Sequence, residues 1–348
     1  MKYNFFRLKN IILQKKIIIK IFIIFVINFY IQIYSSKISS NKYKKLSLSC
    51  NIENQTKLDY GFNKFAILGI DCPTCGLFAI YKHSIGCLLE YINKGYIPII
   101  DLLSLPNVFN KLNSKNISLK TNPWEYFFNQ PYNYSLETVK KNAKHLKYFK
   151  CNPIVDHLNF PDYSIYSNKD LSDFWHKIAV KYIPIKLEIV KESNIIIKKL
   201  FKDSKNVLGV LARGTDYISL KPKNHPKQPD TNNIISDIKK MDLNYKYDWI
   251  FLTTEDYFIK KKFIRAFKNK LKYLKKYNNI NYNYKEKKYL CFNKNINGNF
   301  NYSKNYLINI LILSKCIDII STLTSGTIGT FILTEGFRNS KIYFSGYY

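Results

Sequence analysis

The chain has 348 residues, 46% of them hydrophobic, and a formal net charge of +31. That length exceeds the usual single domain and the apolar content supplies a core, which excludes wholesale disorder. So positive a charge would suit nucleic acid. The lysines, however, are spread evenly and rise together with Asn, Ile and Tyr, and no basic stripe with interleaved aromatics stands out, so nucleic acid is set aside as a partner.

In chain order, the first feature is an apolar run over residues 17–34, "IIIKIFIIFVINFYIQIY", with Lys20 as its only charge. A membrane-spanning helix needs roughly 20 such residues. Lys2, Arg7, Lys9, Lys15 and Lys16 precede it, and no small-residue cleavage site follows. The expectation is a signal anchor over residues 1–36 and a single-pass membrane location. A cleaved signal peptide and an Ile-rich helix packed on the body are the other readings. Residues 37–60 are rich in Lys, Ser and Asn and read as a stem.

Residues 61–200 open with a β-α-β pattern: "FAILGI" (65–70) as a strand, "GLFAIYKHSIGCLLEYINKG" (76–95) as a helix, and "YIPIIDLL" (96–103) as a buried strand. Asp101 lies at the carboxyl end of that strand, which makes it, with Asp216 and Glu255 farther along the chain, a candidate catalytic base. Cys72 and Cys75, spaced CxxC, fit a zinc half-site, a redox pair, or two small residues in a strand-to-helix turn. "NPWEYFFNQP" (122–131) is aromatic and bracketed by prolines, as a cleft wall or a core plug would be. Residues 170–201 read as helical, with Asp170 or Ser172 as N-cap.

Residues 201–348 carry a second α/β set. Predicted strands are "VLGVLA" (207–212), "YDWIFLTT" (247–254), "KYLCFN" (288–293), "IDIISTL" (317–323) and "KIYFSG" (341–346). Predicted helices are "EDYFIKKKFIRAFKNKL" (255–271), "NYLINILILSKC" (305–316) and "SGTIGTFILTEGF" (325–337). Alternation of this kind implies a parallel sheet. Ligands of such sheets bind beyond the carboxyl ends of the strands, where three loops would converge: "ARGTDY" (212–217), "TTEDY" (253–257) and "TLTSGTIG" (322–329).

The chain has only four arginines, so each marks a place where a planar fork of donors matters more than charge alone. Arg213 can grip phosphate oxygens with two donors. Thr324, Ser325, Gly326 and Thr327 open a helix, whose free N–H groups favour an anion. Asp216, Glu255 and Asp256 offer carboxylates to sugar or base hydroxyls. A nucleoside diphosphate suits this set better than a bare phosphate, although "SGTIG" or "TTED" alone is also an ordinary helix start.

The order "ARGTD", then His225-Pro226 nine residues after Asp216, then "IFLTTED" and "TSGTIG", resembles the α1,6- and protein O-fucosyltransferase superfamily over about residues 200–346. "GYIPIIDLL" and "NPWEYFFNQP" resemble the acceptor-side domain of related enzymes. The resemblance implies a GT-B-like fold of two Rossmann-type domains with the donor in the C-terminal one. It implies that Arg213 holds the donor β-phosphate, Asp216 orders that loop, and His225 supports the cleft wall. Glu255 and Asp256 would border the nucleoside, and Ser325 with Thr327 would bind the diphosphate. Leu211 stands where the family often has His, Gly214 where a second Arg is common, Lys221 near a family carboxylate, and Asn309 at an acid of the helix before "TSG". The expected protein is an inverting, metal-independent glycosyltransferase, GDP-fucose the favoured donor and a glycan or protein hydroxyl the acceptor. A membrane-anchored protein that binds a nucleotide sugar without transferring it is the alternative.

Overall fold

The computed structural model describes residues 60–61, 63–109, 121–151, 160–275 and 300–348. The expected anchor (1–36), nearly all of the expected stem (37–60) and the expected strand at 288–293 lie outside the described residues. No helix among the described residues is long and apolar enough to cross a membrane. Residues 54–348 form one compact unit, and both sheets lie in it.

The first sheet has three parallel strands in the order β2-β1-β3: β1 (Lys64–Ile70), β2 (Ile97–Asp101) and β3 (His145–Cys151). Strand β1 is buried at every position after Lys64, as expected of a parallel strand covered on both faces. Helix α1 (Leu77–Asn93) follows it and ends before Gly95, whose φ of +78° suits a residue without a side chain. The "NPWEYFFNQP" segment plugs the core, with Trp124 and Phe128 fully buried. It also closes the free edge of β2. Asn122 accepts the Leu102 N–H (3.1 Å) and donates to the Ile100 carbonyl (2.6 Å), while Gln130 accepts the Ile100 N–H (2.9 Å). Two side-chain amides thus stand in for a missing neighbour strand.

Helix α2 (Leu136–Asn142) precedes β3. The 170–201 segment forms two helices, α3 (Lys169–Tyr182) and α4 (Leu187–Phe201). They are separated at Pro184, which lacks the N–H that a continuing helix requires. Asn168, rather than Asp170 or Ser172, caps α3 by accepting the Leu171 N–H.

The second sheet has five parallel strands in the order β6-β5-β4-β7-β8: β4 (Val207–Leu211), β5 (Trp249–Thr253), β6 (Leu271–Lys272), β7 (Asp318–Thr322) and β8 (Asn339–Tyr343). Between them run α5 (Asp216–Leu220), α6 (Thr231–Tyr245), α7 (Tyr257–Phe267), α8 (Phe300–Ser314) and α9 (Ser325–Leu333). The two α/β sets meet where α1 packs on α9. A Cβ placed on Gly329 would stand 2.1 Å from Phe78 Cδ1, so only glycine allows this approach.

Candidate functional site

In the second sheet the chain winds outward from β4 through β5 to β6, then returns to β7 on the other side of β4. The crevice between the carboxyl ends of β4 and β7 is therefore a topological switch point, where doubly wound sheets bind ligands. The loops leaving the two strands are joined there: the Arg213 N–H donates to Thr322 Oγ1 at 3.1 Å.

The Arg213 guanidinium is held on three sides. Nη2 donates to Asp216 Oδ1 at 2.7 Å and Nη1 lies 3.2 Å from Glu255 Oε1. Its Cζ sits 4.9 Å from the Tyr217 ring centroid. Nε is buried and has no hydrogen-bond partner. Two of five donors are thus committed to carboxylates, which fixes the plane of the fork. Burial pulls the Arg213 pKa down, but Asp216 and Glu255 outweigh it and hold the group charged. Burial pushes Glu255 above the usual carboxylate range, against the pull of Arg213 and the Gly214 N–H.

The loop itself is strained and braced. Thr215 has φ 47° and ψ −116°, unusual for a residue with a branched side chain. Its N–H donates to Asp256 Oδ2 (3.0 Å) and its hydroxyl to Glu255 Oε1 (3.1 Å). Asp256 is buried and caps α7, its Oδ1 accepting the Phe258 and Ile259 N–H groups. Asp256 thus serves the backbone of two loops, and Glu255 serves Arg213. The gap at Gly214 also acquires a cause: a side chain there would collide with Asp256.

At the β7 end, Thr324 and Thr327 form a reciprocal capping box around the start of α9. The Thr327 hydroxyl also donates to the Thr322 carbonyl at 2.5 Å and is fully enclosed. Ser325 is half-buried, and the N–H groups of Ser325 and Gly326 occupy the first turn, where the helix provides no acceptor. Leu211 packs near Gly326: a Cβ on that glycine would be 3.4 Å from Leu211 Cδ1.

The remaining sequence candidates are placed as follows. His225 stacks edge-on against Tyr217 at 5.3 Å, and its loop is pinned to the chain end by the Tyr348 N–H donating to the His225 carbonyl. Lys221 is exposed in a left-handed conformation at the end of α5. Asn309 bridges the Thr253 hydroxyl and the Asn305 carbonyl. Asp101 accepts the N–H groups of Leu103 and Ser104 and lies 3.2 Å from Lys140 Nζ. Cys72 and Cys75 are joined as a disulfide in the β1–α1 turn. Among the described residues no cluster of three or more His, Cys, Asp or Glu could hold a metal ion.

Sequence reasoning missed two tyrosines. Tyr217 provides the face under Arg213, and the Tyr306 hydroxyl lies against Gly326, within electrostatic reach of Arg213 and Glu255. Among 29 tyrosines neither carries a sequence signal of its own.

Fold and crevice together define an α/β protein with two parallel sheets and an arginine-centred crevice at the switch point of the second. No protein-family description and no curated protein matches the chain. Its fold is similar to the α1,6-fucosyltransferase NodZ soaked with GDP-fucose, at 12% identity and TM-score 0.43, with 78% of this chain and 93% of that one covered. It is similar to NodZ from Bradyrhizobium at 13% identity and TM-score 0.42, covering 78% and 94%. Similarity to POFUT1 in complex with GDP-fucose is at 8% identity and TM-score 0.45, covering 81% and 98%.

Proposed function

We propose that the protein is a glycosyltransferase that binds a nucleoside-diphosphate sugar in the β4–β7 crevice and passes the sugar to a glycan or protein hydroxyl. The observation that carries this reading is Arg213. It is a scarce arginine, oriented by two buried acids, beside the first turn of α9 at the switch point of the sheet. The acceptor oxygen attacks the anomeric carbon from the face opposite the diphosphate and gives up its proton to solvent, the bond from that carbon to phosphate oxygen breaks, and the departing charge is met by Arg213 and the α9 N–H groups. This gives inversion. A fixed cation and a helix N-terminus do the work a divalent ion would otherwise do, and the donor set contains no DxD-type motif. GDP-fucose is the favoured donor because of the motif order from Arg213 to Thr327. Residues 1–36 would anchor the protein in a membrane, as the apolar run at 17–34 suggests, and resistance to carbonate extraction checks that.

A second reading, binding without transfer, has its own support. Each carboxylate considered as a base is already engaged: Asp101 with backbone N–H groups and Lys140, Asp216 and Glu255 with Arg213. The test is a thermal-shift screen with GDP, UDP, ADP and their sugars, followed by release of GDP from GDP-fucose. Stabilisation together with sugar transfer supports the enzyme. Stabilisation alone supports the second reading, and no stabilisation by any nucleotide sinks both.

A further inference from the structure

Lys82 lies one helical turn beyond Phe78 on α1, and Phe78 itself packs edge-on against Tyr306 at 5.5 Å. Residues four apart share a helix face, so Lys82 lies on the face of α1 that carries Phe78. Its ammonium rests 4.9 Å from the Phe160 ring centroid and 5.8 Å from that of Tyr163. It is half-buried, and among the described residues no carboxylate comes within ion-pair distance of it. Among the described residues Asp162 acts on it only at longer range, and spends Oδ1 on the Ser164 N–H (2.9 Å) and hydroxyl (2.5 Å). His83 lies against the same Phe160 ring at 4.6 Å, its Nδ1 buried without a partner. A half-desolvated cation on two aromatic faces is a site that gains most from an incoming anion.

The position of that cation relative to Arg213 selects the anion. Lys82 sits over the Tyr163 ring, and Tyr217 carries the Arg213 guanidinium on its ring. Phe78, one turn before Lys82, touches Tyr306, whose hydroxyl lies against Gly326 in the first turn of α9, so Lys82 stands beside the donor end of the site. A diphosphate on Arg213 would be followed by the transferred sugar over the tyrosines, and then by the acceptor at Lys82. Resting on the glycosyltransferase reading, we propose that Lys82 is the seat of an acidic group on the acceptor, which makes the acceptor an acidic glycan.

Burial lowers the Lys82 pKa to about 8, with Asp162 opposing. A bound anion favours the charged form, so affinity for it is full below that value and falls as pH rises above it. His83 shares the Phe160 ring with Lys82, and Asp162, Tyr163, Tyr166, Tyr217 and Tyr347 are the other titratable groups that interact electrostatically around it. The control for their titration is Lys82→Arg, which keeps the charge at all these pH values.

The experiment titrates the full chain, held with saturating GDP, with a glucuronic acid–N-acetylglucosamine disaccharide and with its neutral methyl ester. The acid should bind at least about tenfold more tightly than the ester. Between about pH 7.5 and pH 9.5 the acid should lose on the order of tenfold, whereas the ester stays flat. Lys82→Arg should keep the preference and lose its pH dependence, and Lys82→Met should bind acid and ester alike. Equal binding of the two by the wild type, no binding of the acid, or a preference retained in Lys82→Met would overturn the inference. So would a fall in GDP affinity in Lys82→Met, which would move Lys82 to the donor. GDP titrated alone reports the donor reading separately: its failure to bind refutes that reading whatever the disaccharides do.

Discussion

Gly214 and Asp256 are in contact so close that a Cβ on the glycine would stand 2.2 Å from Asp256 Oδ2 and 2.6 Å from its Cβ. The contact presses the β4 loop onto the start of α7, and the Thr215 N–H then reaches the same carboxylate at 3.0 Å. Gly214→Ala should therefore destabilise the protein by about 1–3 kcal/mol, as overpacking does. It should also weaken GDP binding, because Arg213 is the preceding residue. Denaturant unfolding and GDP titration on one sample check both, and an Ala variant as stable as wild type would refute the contact.

Arg213 cannot be tested cleanly by truncation. The resemblance makes it a phosphate ligand, but the structure also pairs it with two buried acids. Removing one partner of a buried pair costs about 3–5 kcal/mol, so Arg213→Ala should lower stability as well as binding. Arg213→Lys keeps a charge but not the planar fork. It should unfold near the wild-type midpoint and bind GDP at least about tenfold more weakly, since one charge-assisted hydrogen bond is worth about 1.5–3 kcal/mol. Calorimetric titration decides the matter, and wild-type affinity in the Lys variant would remove Arg213 from the diphosphate site.

The seam between α1 and α9 depends on Gly329 and Phe78. Gly329→Ala forces its new methyl against the ring, at 2.1 Å from Cδ1 before relaxation, and should cost about 1–3 kcal/mol. Phe78→Ala opens a cavity in the buried seam and should cost about 3–5 kcal/mol. The double variant should be more stable than the sum of the two losses implies, because the smaller residue removes the clash. Additive losses in the cycle would show that the two helices do not depend on this contact.

The strands around the site were legible because parallel strands covered on both faces spell apolar runs, as "VLGVL" and "WIFLT" do. Arg213 was legible because arginine is scarce here. Strand β3 was not, because most of "HLKYFKC" is exposed or half-exposed at a sheet edge and carries no apolar run. The break at Pro184 was passed over because apolar spacing continues on both sides of it. The roles of Asp256 and Thr327 could not be read from sequence either. Spacing places both at helix starts, but only the fold shows that Asp256 also holds the Thr215 N–H and that the Thr327 hydroxyl is spent on the Thr322 carbonyl. Tyr217 and Tyr306 were hidden by a composition in which tyrosine is everywhere.

Within the same sheet, Asp318 makes stability depend on pH. The carboxylate is fully buried at the start of β7. It receives Arg338 Nε at 3.1 Å and Nη2 at 2.5 Å, the Asn339 N–H at 2.8 Å, and the Tyr247 hydroxyl. Burial pushes its pKa up, but these hydrogen bonds outweigh burial and hold it below the usual carboxylate range. A depressed folded-state pKa means that the stabilisation is present above the unfolded value, near about 3.9. It is lost as pH falls through the folded value. Asp237, lowered by its hydrogen bonds from Lys341 and Tyr343, acts in the same direction. The thermal midpoint should therefore drop as pH is taken from about 5 to about 3. Asp318→Asn should lower stability at neutral pH by about 3–5 kcal/mol, the cost of breaking a buried ion pair, and should show a shallower acid limb than wild type. Parallel acid limbs in the two proteins would mean that Asp318 does not contribute to the pH dependence.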